Sequence, residues 1–258
     1  LYNEDDYRYY RDDLSRGRSE HQNNALSFEL NSRLNTQIGD FGAGLELRDE
    51  DIKSNNLGNH SRENLGSYLE YRTDIIPRTT FHIGMYSNYN SQYGWEVYPG
   101  IDVGYQLFAN WRLNMNVGKS QRIPSFTDLY LKQPANIGNA SLKSEYAWQY
   151  EASVQGKLRE MQVEVRYFYR NINDFVDWIK DVGSTSNPAE ISKIPYQPYN
   201  LGNNRMHGIS MSLHKSYALS VESSLRYSLG YNYLSPEEMV QTDAIISKYV
   251  LESLKHQA

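Results

Sequence analysis

The chain has 258 residues, among them 23 Tyr, 7 Phe and 4 Trp, with 39% apolar residues, a net charge of −5 and a mean hydropathy of −0.72. No apolar run approaches the roughly 20 residues of a spanning helix, so a bundle of membrane helices is excluded, whereas barrel strands of about 9–11 alternating residues fit so polar a composition. The acidic balance and the lack of a Lys/Arg stripe count against a nucleic-acid surface, and the absence of cysteine removes disulfides, thiolate-bound zinc and thiol catalysis.

Leu1 follows no charged-then-apolar leader, and we expect an internal piece of a longer protein. Period-2 alternation predicts about ten strands. The acidic, Tyr-rich start, Leu1 to Gln22, reads as the end of an outer loop. Tight turns are expected at Ile38 to Phe41, Ile76 to Thr79, Phe108 to Asn110, Lys157 to Glu160 and Lys215 to Ala218. Between them lie mostly longer links, at Lys53 to Glu63, Ser91 to Trp95, Gln121 to Ser144 and Ile172 to Asn200. Trp111, Leu113, Met115 and Val117 alternate with Arg112, Asn114 and Asn116; Tyr146, Trp148, Tyr150, Ala152 and Val154 alternate with Gln149, Glu151 and Gln155. Val163, Val165, Tyr167 and Tyr169 alternate with Glu164, Arg166 and Arg170, and Leu219 to Tyr233 repeats the pattern with Leu225, Leu229 and Tyr231 against Glu222, Arg226 and Asn232.

A soluble sandwich also alternates, but runs of 12 or more residues exceed the roughly 5–6 usual for soluble strands, and short turns facing long loops match an outer-membrane barrel. The expected fold is all-β, an antiparallel transmembrane barrel segment with short periplasmic turns and long extracellular loops. The apolar columns must face lipid, since a midplane Arg in hydrocarbon costs about 2–4 kcal/mol. Trp111, Trp148, Tyr231 and Tyr233 suit interfacial belts.

The stretch Arg122-Ile123-Pro124-Ser125-Phe126-Thr127-Asp128-Leu129-Tyr130, followed by Gly138-Asn139 and Leu142-Lys143-Ser144-Glu145, resembles the barrel signature of TonB-dependent outer-membrane receptors, with Ser144 where that family usually has Pro. Phe168-Tyr169-Arg170, Asp177-Trp178-Ile179, Asn200-Leu201-Gly202 and Gly208-Ile209 resemble its later motifs, with Ser210 where Glu is usual. Within the family, Ser247 to Ala258 is most similar to the vitamin B12 (cobalamin) receptors. The resemblance implies a barrel of about 22 strands occluded by an N-terminal plug. Residues 1–258 would then be one partial barrel domain, with the plug and remaining strands outside it. It further implies uptake of cobalamin, or of haem or a ferric siderophore, across the outer membrane of a Gram-negative bacterium. The implied partners are the TonB energy-coupling complex, outer-membrane lipid and a surface lipoprotein.

Arg122 and Glu145 flank one loop and are expected to pair at its base. Pro124, Leu129, Gly138, Asn139 and Gly208 complete the structural signature. Ser125, Phe126, Asp128 and Tyr130 have a helical spacing and, with Trp178, Tyr196 and Tyr199 in the next loop, are the candidate ligand contacts, since large flat ligands need aromatic surfaces. His207 and His214 are an odd number of positions apart, so in one strand they cannot chelate a common metal; His82 and His214 read as polar wall residues. No cofactor is required. The acidic runs Glu4 to Asp6, Asp12-Asp13 and Asp49 to Asp51 lack EF-hand spacing and read as solvated charge, with loop calcium as the alternative. No G-x-S-x-G, H-E-x-x-H or phosphate-loop motif appears, so no enzymatic activity is expected.

Overall fold

The computed structural model describes residues 2–8, 18–183, 185–220, 222–236, 244–248 and 255–257. Ten strands of 12 to 19 residues dominate it. They are β2 (Arg18–Thr36), β3 (Gly39–Ser54), β4 (Gly58–Thr73), β5 (Thr79–Asn90), β6 (Gly94–Phe108), β7 (Trp111–Arg122), β10 (Glu145–Leu158), β11 (Met161–Asn173), β14 (Asn204–Ala218) and β15 (Ser224–Pro236). They pair antiparallel in that order, with β1 (Tyr2–Arg8) and β17 (His256–Gln257) at the two ends of the sheet. The loop after β7 carries α1 (Phe126–Tyr130), β8 (Lys132–Gln133) and β9 (Asn136–Ile137). The loop after β11 carries β12 (Val176–Asp181), α2 (Pro188–Ile191) and β13 (Gln197–Asn200), and β16 (Ile245–Ser247) pairs with β12.

The register turns the alternation into two continuous surfaces. Leu34, Phe41, Tyr71, Ile83, Ile101, Val117, Tyr150 and Tyr169 are successive cross-strand partners and form one apolar row over eight strands. One position away, on the other face, Asn35, Asp40, Arg72, His82, Asp102, Asn116 and Glu151 form an equally continuous polar row. A sheet with one outward apolar face and a polar concave face is a membrane barrel wall.

The turns at 109–110 and 159–160 lie where alternation predicts them, while those at 37–38 and 74–78 fall slightly earlier than the predicted Ile38 to Phe41 and Ile76 to Thr79, as β3 already starts at Gly39 and β5 at Thr79. Three expectations are corrected. Lys53 to Glu63 is not a long link: β3 and β4 continue through it and join by the three residues 55–57, because both faces turn polar there and hide the period while Ile52 and Leu57 stay buried. The turn expected at Lys215 to Ala218 lies at 219–223, closed by Leu219 N–H donating to Ser223 O at 2.9 Å, so Leu219 and Glu222 belong to a turn; Val221 lies outside the described residues. The start is no plain loop, since Tyr2–Arg8 pairs with β2 from Tyr2↔Asn24 to Arg8↔Arg18, while residues 9–17 lie outside the described ones.

Replacing Ile83 on the apolar row by Arg is expected to cost about 2–4 kcal/mol, whereas His82→Arg, one position away between Glu70 and Asp102, stays within about 1 kcal/mol. Equilibrium urea unfolding of the full-length barrel in lipid vesicles checks the difference.

Candidate functional site

Everything at the outer end converges on Asp128. Ser125 caps α1: its Oγ accepts from Asp128 N–H at 3.1 Å, while its own N–H and Oγ–H donate to Asp128 Oδ2 at 3.0 and 2.8 Å. This reciprocal capping box satisfies donors that so short a helix cannot. Arg122 Nη2 donates to the same oxygen at 3.0 Å, its Nη1 donates to Glu145 at 3.1 Å, and Trp178 Nε1–H from the next loop donates to Asp128 Oδ1 at 2.9 Å. Glu145 in turn accepts Val176 N–H. Leu129, Leu142 and Val176 fill the small apolar core beside this node.

The remaining signature residues serve close approach and loop closure. Gly138 runs so near α1 that a Cβ would lie 2.6 Å from Tyr130 N and Leu131 N, and its N–H donates to Leu131 O at 2.7 Å. Asn139 Oδ1 accepts from Ser141 and its Nδ2 donates to Pro198 O at 3.0 Å. Pro124 is fully buried, and Gly208 leaves room for the Phe168 ring. Ser210, where the resemblance leads one to expect Glu, donates to Asn232 at 2.7 Å.

The first loop lies inside the mouth. The β6–β7 register runs only from Gly100↔Gly118 down to Phe108↔Trp111. Beyond it, alternation puts Glu96 and Tyr98 on the lumen face of β6 and Lys119 and Gln121 on the lipid-side face of β7. Yet Lys119 donates to Glu96 at 3.3 Å, and Tyr98 bonds to Gln121. The outer end of β7 has therefore turned inward behind β6, carrying the loop across the lumen face of β4. There the Tyr130 ring stacks on His60 at 3.6 Å, Arg62 lies 4.6 Å from the Phe126 ring centre and donates to Pro124 O, and Lys132 N–H reaches Asn56 O at 2.9 Å.

The second loop is stitched to the first. Tyr196 N–H donates to Ala135 O and Ile137 N–H to Tyr196 O, both at 2.9 Å. Asn200 accepts Lys143 N–H and donates to Lys143 O and Asp174 O. Residues 244–248 close over it, with β16 paired to β12 and Ser247 Oγ–H donating to Asp177. Lys180 and Lys248 lie 4.8 and 5.5 Å from the Tyr196 ring centre.

The structure thus gathers Ser125, Phe126, Asp128, Tyr130 and Trp178 into one node, where Asp128 and Trp178 are buried and Phe126 and Tyr130 lean on the wall. Tyr196 stands between lysines on the outer loops, and Tyr199, 39% exposed, is the most open of the five aromatic candidates. His60 and Arg62 were not anticipated; the aromatic spacing of α1 required a partner but gave no hint that β4 supplies it. Among the described residues no three His, Cys, Asp or Glu side chains cluster to hold a metal. Glu50 pairs with Arg48, and Asp51 accepts from Asn24. The side chains of Glu4 to Asp6, like Asp12-Asp13, lie outside the described residues.

A barrel wall with a polar interior, short turns at one end and interlocked loops roofing the other is the architecture of an outer-membrane-type β-barrel. The chain belongs to the TonB dependent receptor-like, beta-barrel family, whose model matches residues 1–255. It is 22% identical over 239 residues to the vitamin B12 transporter BtuB of Photobacterium profundum, spanning 92% of this chain and 37% of that protein. The siderophore receptor PirA of Pseudomonas aeruginosa superposes with a TM-score of 0.68 at 17% identity, over 85% of this chain and 41% of PirA. The ferric enterobactin receptor PfeA of the same organism gives 0.63 at 15% identity, over 84% and 36%. The chain therefore spans well under half the length of these relatives, and the structural likenesses speak for the fold.

Asp128→Ala is expected to leave Trp178 Nε1 and the Ser125 donors unpaired, at about 1–3 kcal/mol, and to raise hydrogen exchange in both 123–144 and 174–203, whereas Tyr199→Ala leaves both unchanged. Burial raises the Asp177 carboxyl above the usual carboxylate range, partly offset by the Ser247 hydroxyl and Trp178 N–H. A raised folded-state pKa gives stability at low pH that is lost as pH rises through the raised value. Protection of 245–247, corrected for intrinsic rates, should therefore fall between the ordinary carboxylate range and that value, and Asp177→Asn should flatten the profile.

Proposed function

We propose that this chain is part of the barrel of a receptor that captures a bulky, scarce nutrient at the cell surface and passes it inward with energy from TonB. The carrying observation is the roof itself: two long loops and a third segment hydrogen-bonded to one another over a polar lumen, with Tyr199 exposed and Tyr196 half-buried among them. Its residues offer binding and orientation, and we assign the barrel no catalytic step. The substrate we propose is vitamin B12, supported by the similarity to a B12 transporter over 92% of the chain. A ferric siderophore is the second reading, favoured by Lys180 and Lys248 flanking Tyr196, a combination suited to an anionic chelate. TonB would engage a segment N-terminal to this chain, and a surface lipoprotein would dock on the same loops.

Calorimetric titration of the full-length receptor in detergent, separately with cyanocobalamin, ferric enterobactin and haemin, decides between them. Saturable submicromolar binding of cyanocobalamin alone is expected; tight binding of another probe replaces the substrate, and binding of none removes the import reading. A repeat in EGTA tests for calcium in the loops.

A further inference from the structure

Directly below the roof the lumen wall is aromatic. Tyr68 of β4, Tyr86 of β5 and Tyr98 of β6 are successive cross-strand partners on the face that carries Arg72, His82 and Asp102 lower down. Two of the three rings cannot stand upright. The Tyr86 hydroxyl donates to Glu46 of β3 at 3.2 Å and the Tyr68 hydroxyl to Asn31 of β2 at 3.1 Å, each two strands away. Neighbouring strands lie about 4.8 Å apart, so each side chain must run along the sheet to cover roughly 10 Å. The residue crossed is a glycine in both cases: a Cβ on Gly66 would collide with Tyr86, and one on Gly44 with Tyr68. The Tyr98 ring stacks on Tyr86 with centres 5.8 Å apart and planes 24° apart, and its hydroxyl bonds to Gln121 at the base of the roof.

A tyrosine laid flat turns its π face to the lumen, while its hydroxyl is already committed to the wall. Such a strip offers dispersion and stacking to a planar solute but few hydrogen bonds to hold it. The rows below change character: Glu70 lies over Gly42 and Arg112 over Gly104, so the same glycine device there presents charge. The aromatic band thus lies between charged rows, with Glu46 and Glu96 on the roof side and Glu70, Arg72 and Asp102 nearer the short turns.

We propose that Tyr68, Tyr86 and Tyr98 form a transit surface, on which a planar conjugated face of the nutrient rests after leaving the outer loops. The ligand class is one with an extended flat π-system, held weakly enough to move on. This inference rests on the import reading above.

The test uses cells making the full-length receptor, with radiolabelled cyanocobalamin and haemin as probes, measuring surface binding without energy and uptake with it. Tyr68→Ala combined with Tyr86→Ala should lower the uptake rate about five- to tenfold while binding affinity stays within about twofold, in keeping with the loss of one or two aromatic contacts. Gly66→Leu, which lifts the Tyr86 ring without deleting it, should do the same, and Tyr86→Phe should import normally. Should the double variant fail to assemble, Tyr86→Leu keeps the bulk without the π face and carries the comparison. Normal uptake by a folded Tyr86→Leu or double variant overturns the transit surface alone, as does an equal loss of binding and uptake. A wild-type receptor that neither binds nor imports either probe overturns the import reading and the transit surface with it.

Discussion

Hydrocarbon cannot hydrogen-bond a peptide group, and each unpaired N–H or C=O in it costs several kcal/mol. The long strands must therefore keep their ladders through the hydrocarbon; the β6–β7 ladder runs from Phe108↔Trp111 up to Gly100↔Gly118, and its register shift falls at Gln106 and Phe108, beside an inner turn. With the backbone fixed in this way, local shape can vary only through side chains. That is why glycine does so much on the lumen face: Gly44, Gly66, Gly42 and Gly104 each remove a Cβ so that a neighbour's long side chain can lie along the wall. The lipid face uses the same device near an inner turn, where Gly156 leaves room for the Trp111 ring of its cross-strand partner.

Above the membrane the same demand for partners is met by different means. The loops have almost no ladder of their own, so side-chain carboxylates and amides stand in for missing strands. Asp128 serves the start of α1 and the Trp178 indole, Glu145 serves Val176 N–H, and Asn200 serves both polar groups of Lys143. Each of these residues belongs to one chain segment and satisfies another. The family signature in this stretch is therefore a set of backbone partners and close-approach positions, and its Arg122 is the cation that lets Asp128 and Glu145 sit side by side.

Much of this was legible in the sequence. The alternating columns gave the sheet, its faces and its turns, since a two-residue period survives wherever one face meets lipid. It failed at Lys53 to Glu63, where the strands rise into water and both faces are polar, and at Lys215 to Ala218, where β14 keeps its pairing to Ala218 although polar Lys215 and Ser216 suggest a turn. The short helix at Phe126–Tyr130 and the Arg122–Glu145 pair follow from spacing along the chain. The contacts of Arg62 and His60 with α1, and the shared roof, do not. They depend on β7 turning behind β6, a displacement set by tertiary packing that leaves no local pattern.

The roof's construction also constrains how a receptor of this kind can open. Among the described residues six hydrogen bonds join the first loop to the second, those made by Trp178, Asn139, Ile137 and Tyr196 and the two between Asn200 and Lys143, and a seventh ties Val176 N–H to Glu145 at the start of β10. At about 0.5–1.5 kcal/mol each, parting the loops costs roughly 3–10 kcal/mol before any apolar core is exposed. A ligand shifts such an equilibrium only by the difference in its affinity for the two states. Supplying that difference would consume most of the free energy of tight capture. A nutrient held on the outside thus gains more by leaving the roof intact, and the route inward on the proposed cycle runs beside it, down the face where the flat tyrosines lie.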